Sequence, residues 1–132
     1  MSDRKLPAPQ PNAETETFWD AASNGVLKIK RCSDCNQAHY YPRAICPHCG
    51  SAKTEWIDTA GSGEIYSVSV MRRGEGAPFA VAYVTLDEGP AMLTNIVADD
   101  LDTLAIGQRV DVVFTSTEDG APPVPMFTPR GG

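Results

Sequence analysis

Cys32, Cys35, Cys46 and Cys49 form two C-x2-C pairs with ten residues between them, and Gly50 follows the second pair. Two residues between thiolates allow a tight turn to point both sulfurs at one ion while backbone N–H groups face the sulfurs. Two such turns complete a tetrahedron. The pattern uses every cysteine in the chain and predicts one zinc ion with four protein ligands. A site filled by four protein ligands has no open position for water, so the metal is expected to be structural.

Other chemistries open to these residues fit less well. A disulfide framework belongs to secreted chains, and the N-terminus lacks the charged-then-apolar pattern of a secretory signal. A thioredoxin-like redox pair needs a βαβ unit, which the pattern does not contain. Iron is the closer rival, because rubredoxin-like modules also carry CP-x-CG in the second turn, as Cys46-Pro47-His48-Cys49-Gly50 does. Against iron stands Asn36, which closes the first turn where such modules usually have Gly. His39 and His48 could replace a ligand, but four cysteines already saturate the ion. Both are expected beside the site or in solvent, with no Ser, Asp or Cys spaced to make either a catalytic base. Lys28, Lys30, Arg31, Arg43 and Lys53 lie around the cysteines, where cations offset the formal charge of about −2 on a tetrathiolate centre.

These turns must be carried by short elements. Asn12 or Thr15 can cap a helix running to about Ser23, with Glu14 and Glu16 in its first turn and Asn24-Gly25 ending it. Phe18 and Ala22 share one face of that helix, with Trp19 and Ala21 beside them. Residues 26–31 alternate apolar with basic side chains and lead as a strand into Cys32. Beyond Gly61-Ser62-Gly63 the pattern is β throughout: residues 65–71, 79–86, 91–97, 110–114 and 124–128. The last is expected at a sheet edge, since Pro125 cannot donate a ladder hydrogen bond. Turn residues separate the runs, and the longer link at 99–107 suits a short helix. Five short strands with that spacing match a small Greek-key barrel of the OB type, with a five-stranded open sheet as the alternative.

The expected fold class is mainly β: a short N-terminal helix, a rubredoxin-like zinc ribbon and a C-terminal five-stranded OB-fold barrel. The expected boundaries are a mobile arm at 1–12, the helix at 13–25, the ribbon at 26–58, the barrel at 59–129 and a tail at 130–132. The 132 residues suffice for two small modules sharing a contact, and not for a long catalytic scaffold beside them. No apolar run reaches the roughly 18 residues of a membrane helix, so a cytoplasmic protein with no membrane partner is expected. The net charge of −6 argues against nucleic acid, which requires a cationic face. Between residues 61 and 127 only Arg72, Arg73 and Arg109 stand against ten acidic residues.

The stretches ETFWDAASNGVLKIKRCSDC, YYPRAICPHCGS, GSGEIYSVSV, PFAVAYVTLDEGPAMLTNIV and IGQRVDVVF resemble the zinc-ribbon plus OB-fold proteins of domain-of-unknown-function family thirty-five, over roughly residues 14–129. The resemblance implies an accessory subunit that joins thiolase-like acyltransferases, ketoacyl synthases or hydratases acting on acyl-CoA esters, in lipid, steroid or aromatic acyl-CoA metabolism. It carries the zinc ligands onto Cys32, Cys35, Cys46 and Cys49 and carries over no catalytic residue. If coenzyme A is a ligand, Arg72 and Arg73 beside a glycine-rich turn are the candidates for its phosphates; otherwise they are a solvated hairpin tip. Phe18 and Trp19 either pack on the chain's own ribbon or present an apolar patch to the partner enzyme. Two further classes remain as alternatives: a single-stranded nucleic-acid binder, since zinc ribbons and OB folds both serve that purpose, and a rubredoxin-like iron electron carrier.

Overall fold

The computed structural model describes residues 8–72, 77–117 and 121–130. One helix, α1 (Glu16–Ser23), precedes β1 (Lys28–Cys32), β2 (Ala38–His39) and β3 (Thr54–Asp58), which form a three-stranded sheet in the order β2-β1-β3. Five strands follow: β4 (Ser62–Met71), β5 (Phe79–Leu86), β6 (Ala91–Ile96), β7 (Arg109–Thr115) and β8 (Val124–Pro129). They close a barrel in the order β4-β5-β6-β8-β7. The expected architecture of helix, ribbon and five-stranded barrel is the observed one, and the open sheet is excluded.

Asn12 and Thr15 start the helix together. The Asn12 carboxamide oxygen accepts from the Glu14 and Thr15 N–H groups at 3.0 and 3.1 Å, and the Thr15 hydroxyl accepts from the Asn12 N–H at 2.9 Å. At the other end Gly25, at φ 80°, sends its N–H to the Ala22 carbonyl while Val26 reaches back to Ala21. That pair of bonds satisfies the last carbonyls of the helix and turns the chain into β1. The buried face of α1 is Phe18, Ala21 and Ala22. Phe18, Leu27 and Ile29 belong to the same apolar cluster as the barrel residues Ile65, Val84, Leu86, Met92 and Phe127. Helix, ribbon and barrel therefore share one core, and none of the three buries its apolar face alone.

Strict alternation along β4 would put Ile65, Ser67 and Ser69 on one face and Tyr66, Val68 and Val70 on the other. A register shift between Ile65 and Ser67 corrects the phase. The extra residue leaves Ile65 fully buried and lets Val68 and Val70 pack inward, while Tyr66 stays outside. Gly63 sits where no side chain fits: a Cβ there would lie 2.6 Å from the Thr85 carbonyl oxygen and 2.7 Å from Val84 Cγ1.

The position of β8 differs from expectation. It lies between β6 and β7, not at an edge. Pro125 is accommodated because β6 meets β8 at a single register pair, Ile96 with Phe127, so the missing Pro125 N–H interrupts no ladder there. Its carbonyl still accepts from the Thr94 hydroxyl at 3.3 Å. The link between β6 and β7 holds only a short 3-10 turn, Leu101–Thr103.

Just past β8, Arg130 grips Asp111 of β7 through Nη2 at 2.8 Å and Nε at 3.2 Å, and reaches Ser62 of β4 at 2.9 Å. The guanidinium, followed by the Ser62 hydroxyl, holds the Asp111 carboxyl below its ordinary value. A depressed carboxylate pKa stabilises the fold above the unfolded value near 4 and loses that contribution as pH falls through the folded value. The stability gap between wild type and Arg130→Gln, read from denaturant midpoints, should be constant from pH 8 to pH 5 and shrink below about pH 4.

Candidate metal centre

The four cysteines come from two loops that close the ribbon at one end. In the first, Asn36 N–H donates to the Cys32 carbonyl at 2.8 Å and Cys32 N–H to Gln37 at 3.0 Å. The second repeats this pattern with Gly50 to Cys46 at 2.9 Å and Cys46 to Ser51 at 2.8 Å. Asn36 at φ 63° and Gly50 at φ 80° occupy matching left-handed positions. Asn is one of the few residues with a side chain that tolerate that region. Asn36 therefore does the work of the usual glycine, and its presence does not separate zinc from iron as the sequence suggested.

A tetrahedral ion held by four sulfurs at about 2.3 Å sets sulfur–sulfur edges near 3.8 Å. Cys32 and Cys49 Sγ are 3.6 Å apart, Cys35 and Cys46 Sγ are 3.7 Å apart, and all four sulfurs lie within 4.8 Å of one another. A disulfide would need about 2.05 Å, and all four cysteines are free. The donor set thus fits one thiophilic ion with four protein ligands. Among the described residues it is the one cluster of His, Cys, Asp or Glu with ligand spacing.

Backbone donors favour the thiolate form. The Cys35 N–H, working against burial and aided by the Asp34 N–H, brings the Cys32 thiol down to about 7. The Gln37 and Ser51 N–H groups act in the same sense on Cys35 and Cys49, and the His48 N–H lies 3.3 Å from Cys46 Sγ. Crowding opposes them. Cys35 is raised by burial and by the Cys46 sulfur, and Cys49 is pushed up to about 12, chiefly by the Cys32 sulfur and then by burial. A cation bound among four sulfurs displaces the remaining thiol protons, which is how binding a metal becomes folding energy.

The cations around the centre are largely committed elsewhere. Lys28 pairs with Asp58 at 2.5 Å, Lys53 lies 3.9 Å from Asp34, Lys30 sits 5.0 Å from the centre of the Trp56 ring, and Arg43 lies 5.3 Å from that of Tyr41. His39 is buried, and burial is the main cause lowering its pKa below the ordinary imidazole value. His48 is exposed and its Nε2 lies 3.3 Å from the Ala38 carbonyl oxygen.

The remaining candidates lie apart from the sulfurs. Arg72 is paired with Asp102 and lines a cavity of about 240 Å³ with Asp99 and Asp100. A phosphate arriving there must displace one carboxylate and lie beside two more. Arg73 is outside the described residues. Phe18 is 4% exposed, with its ring edge-on to Trp19 at 4.9 Å and to Tyr40 at 5.9 Å, so it packs on its own chain. Trp19 is half-buried and keeps some surface. Strand β3 was not apparent in the sequence. None of its residues is fully buried, so it carries no clean alternation, and the only sign was Trp56 and Ile57 between turn residues.

Comparison with known proteins agrees with this geometry. The ChsH2 rubredoxin-like zinc ribbon domain matches residues 19–55, and the ChsH2 C-terminal OB-fold domain matches residues 56–115. A DUF35 domain-containing scaffold protein of Methanothermobacter thermautotrophicus is 34% identical over 99 residues, covering 70% of this chain and 74% of that one. A probable enoyl-CoA hydratase alpha subunit of Thermomonospora curvata is 33% identical over 127 residues, covering 93% of this chain. This chain spans 40% of the length of that hydratase subunit. The solved structure titled Ltp2-ChsH2(DUF35) aldolase superposes with a TM-score of 0.80 at 31% identity, over 92% of this chain and 98% of the matched one.

Replacing one ligand removes a charge and a bond from a centre that the loops cannot otherwise hold closed. Cys46→Ser should lower metal content well below one ion per chain and reduce the melting temperature by 10 °C or more, in line with the roughly 10 kcal/mol or more that structural zinc supplies in small domains. Metal analysis and thermal unfolding by circular dichroism check both.

Proposed function

The chain belongs to domain-of-unknown-function family thirty-five, with the zinc ribbon and OB fold of ChsH2, and from that premise we propose that it is a non-catalytic accessory subunit of a thiolase-like acyltransferase or an acyl-CoA hydratase. The observation that carries this reading is the closed metal centre. Four sulfurs surround one point, so the ion would hold the ribbon in shape and would offer no position to water or substrate. We assign zinc to the site. The matched domain is described as a zinc ribbon, and zinc suits a sulfur tetrahedron without redox chemistry. A red protein containing stoichiometric iron would overturn that assignment at sight.

Names of the relatives support the role. One is described as a hydratase alpha subunit, one as a scaffold protein, and the matched structure is titled as an aldolase that includes ChsH2. The same reading extends to helping the partner hold acyl-CoA in lipid, steroid or aromatic acyl-CoA metabolism, in a cytoplasmic setting that keeps thiols reduced. Under it, Arg72 exchanges its Asp102 contact for a coenzyme A phosphate, and Arg73, its neighbour in sequence, is the second candidate for those phosphates. Of the helix aromatics, Trp19 and not the buried Phe18 would meet the partner.

Co-expression with the thiolase-like or hydratase subunit tests the proposal. The two chains should elute as one species on size-exclusion chromatography, and partner turnover should fall at least tenfold without this chain. Independent elution with unchanged turnover contradicts the role. Arg72→Ala should raise the KM for acyl-CoA several-fold while leaving kcat within a factor of two; an unchanged KM removes the phosphate assignment alone.

A further inference from the structure

Strands β4, β5 and β6 turn one face to the barrel interior, through Ile65, Ala82, Val84 and Met92, each no more than 2% exposed. Their other face is unusual for this chain. Across the three strands Glu64 is the one charged residue, although a fifth of the whole sequence is charged. At its middle the register places Ser67 opposite Tyr83 and Tyr83 opposite Leu93, and the bulge sets Tyr66 beside Ser67 on the same rung. Tyr66 is 68% exposed, Tyr83 47% and Leu93 55%. The flanking rungs add Ser69, Val81 and Asn95 on one side and Glu64, Thr85 and Ala91 on the other, so the one charge lies at the rim of the row.

From this row we infer that the outer face of β4, β5 and β6 is the surface on which the partner enzyme subunit seats, centred on Tyr66, Tyr83 and Leu93. The inference rests on the accessory-subunit reading above and adds where the contact lies. Two large exposed aromatic side chains and a leucine that the register sets side by side across three strands make an apolar patch of roughly a few hundred Å², the size at which exposed patches mark interaction sites. That is about half of one side of a standard interface of ~800 Å² per partner, with Tyr among the residue types that carry most of the binding energy. Charge identifies the occupant. The barrel has Arg72, Arg73 and Arg109 against ten acidic residues between 61 and 127, and two of those arginines are already paired, with Asp102 and Asp87. The patch is therefore uncharged at its centre and sits on an acidic body. A second copy would bring an acidic surface against an acidic surface, and single-stranded nucleic acid would meet aromatic rings with no cation among the three strands. A different protein with an apolar centre and basic flanks satisfies both terms.

The test uses the full chain and the co-expressed thiolase-like or hydratase subunit, with affinity measured by titration calorimetry. Tyr66→Ser combined with Leu93→Ser should weaken binding at least tenfold while metal content and melting temperature stay at wild-type values. Ser69→Lys with Asn95→Lys, which adds charge to the same face and removes no buried side chain, should do the same and covers the case in which the first pair misfolds. Tyr41→Ser, at a ribbon residue 48% exposed, should bind as wild type. Wild-type affinity in both face variants overturns the inference and leaves the accessory role standing, as does an equal loss in Tyr41→Ser. Failure of the wild-type chain to bind the subunit removes both. Dimerisation through this face, or tight binding of a thymidine oligonucleotide to it, also overturns the inference.

Discussion

The ribbon depends on four sulfur atoms meeting at one point. It packs on the shared core chiefly through Leu27 and Ile29, and its sheet gives the cysteine loops little support: β2 is two residues long, and β3 has no fully buried side chain. The loops carrying Cys35 and Cys49 bury neither of those cysteines fully. Ordering each loop residue costs about 1–2 kcal/mol of backbone entropy, and the few buried groups here cannot offset that alone. Metal–thiolate bonds can, provided that backbone N–H groups neutralise part of the charge gathered on the sulfurs. The matching hydrogen bonds of the two loops, and the left-handed Asn36 and Gly50 that close them, serve that single requirement.

The effect of the metal reaches the barrel through shared packing. Leu27, just before β1, and Ile29 within it lead toward Cys32 and are buried in the same cluster as Ile65, Leu86 and Phe127. Thr59 ties the end of β3 back to Leu27 through its N–H at 3.0 Å and its hydroxyl at 2.8 Å, and Ala60 N–H reaches Glu88 in the β5–β6 turn at 3.0 Å. Phe18 and the ring of Tyr40 cover the junction. The tyrosine hydroxyl there is pushed up to about 12 by burial. A ribbon that lost its ion would therefore loosen a core that the barrel also uses.

Much of this was legible in the residues. The cysteine spacing specified the loops because only one geometry brings two C-x2-C turns onto a common ion. The barrel strands were legible as short apolar, β-branched and aromatic runs between turn residues; burial alternates along β5 and β6 but not along β7 and β8. Three features were not legible. Strand β3 pairs along its length with β1 but packs only the adjacent Trp56 and Ile57 against the core, each in part, so hydrophobic period has little to report. The bulge at Tyr66 inverts the phase of β4 halfway along, which a strict period of two reads as a polar interior. Pro125 was assigned to an edge because it lacks a donor, yet closure of the barrel gives β8 two neighbours with only one register pair on the β6 side. Charge partners such as Asp102 for Arg72 lie 30 residues apart, a separation that only the folded topology can bridge.

X-ray absorption at the metal edge of the purified chain tests the account most directly. One ion per chain, zinc, with four sulfur neighbours at about 2.3 Å and no nitrogen or oxygen in the first shell, is the expected result. A histidine nitrogen or a water oxygen in that shell would open the site to chemistry and contradict a purely structural centre. A metal-free chain that is fully folded, or sulfurs joined to one another, would contradict it outright.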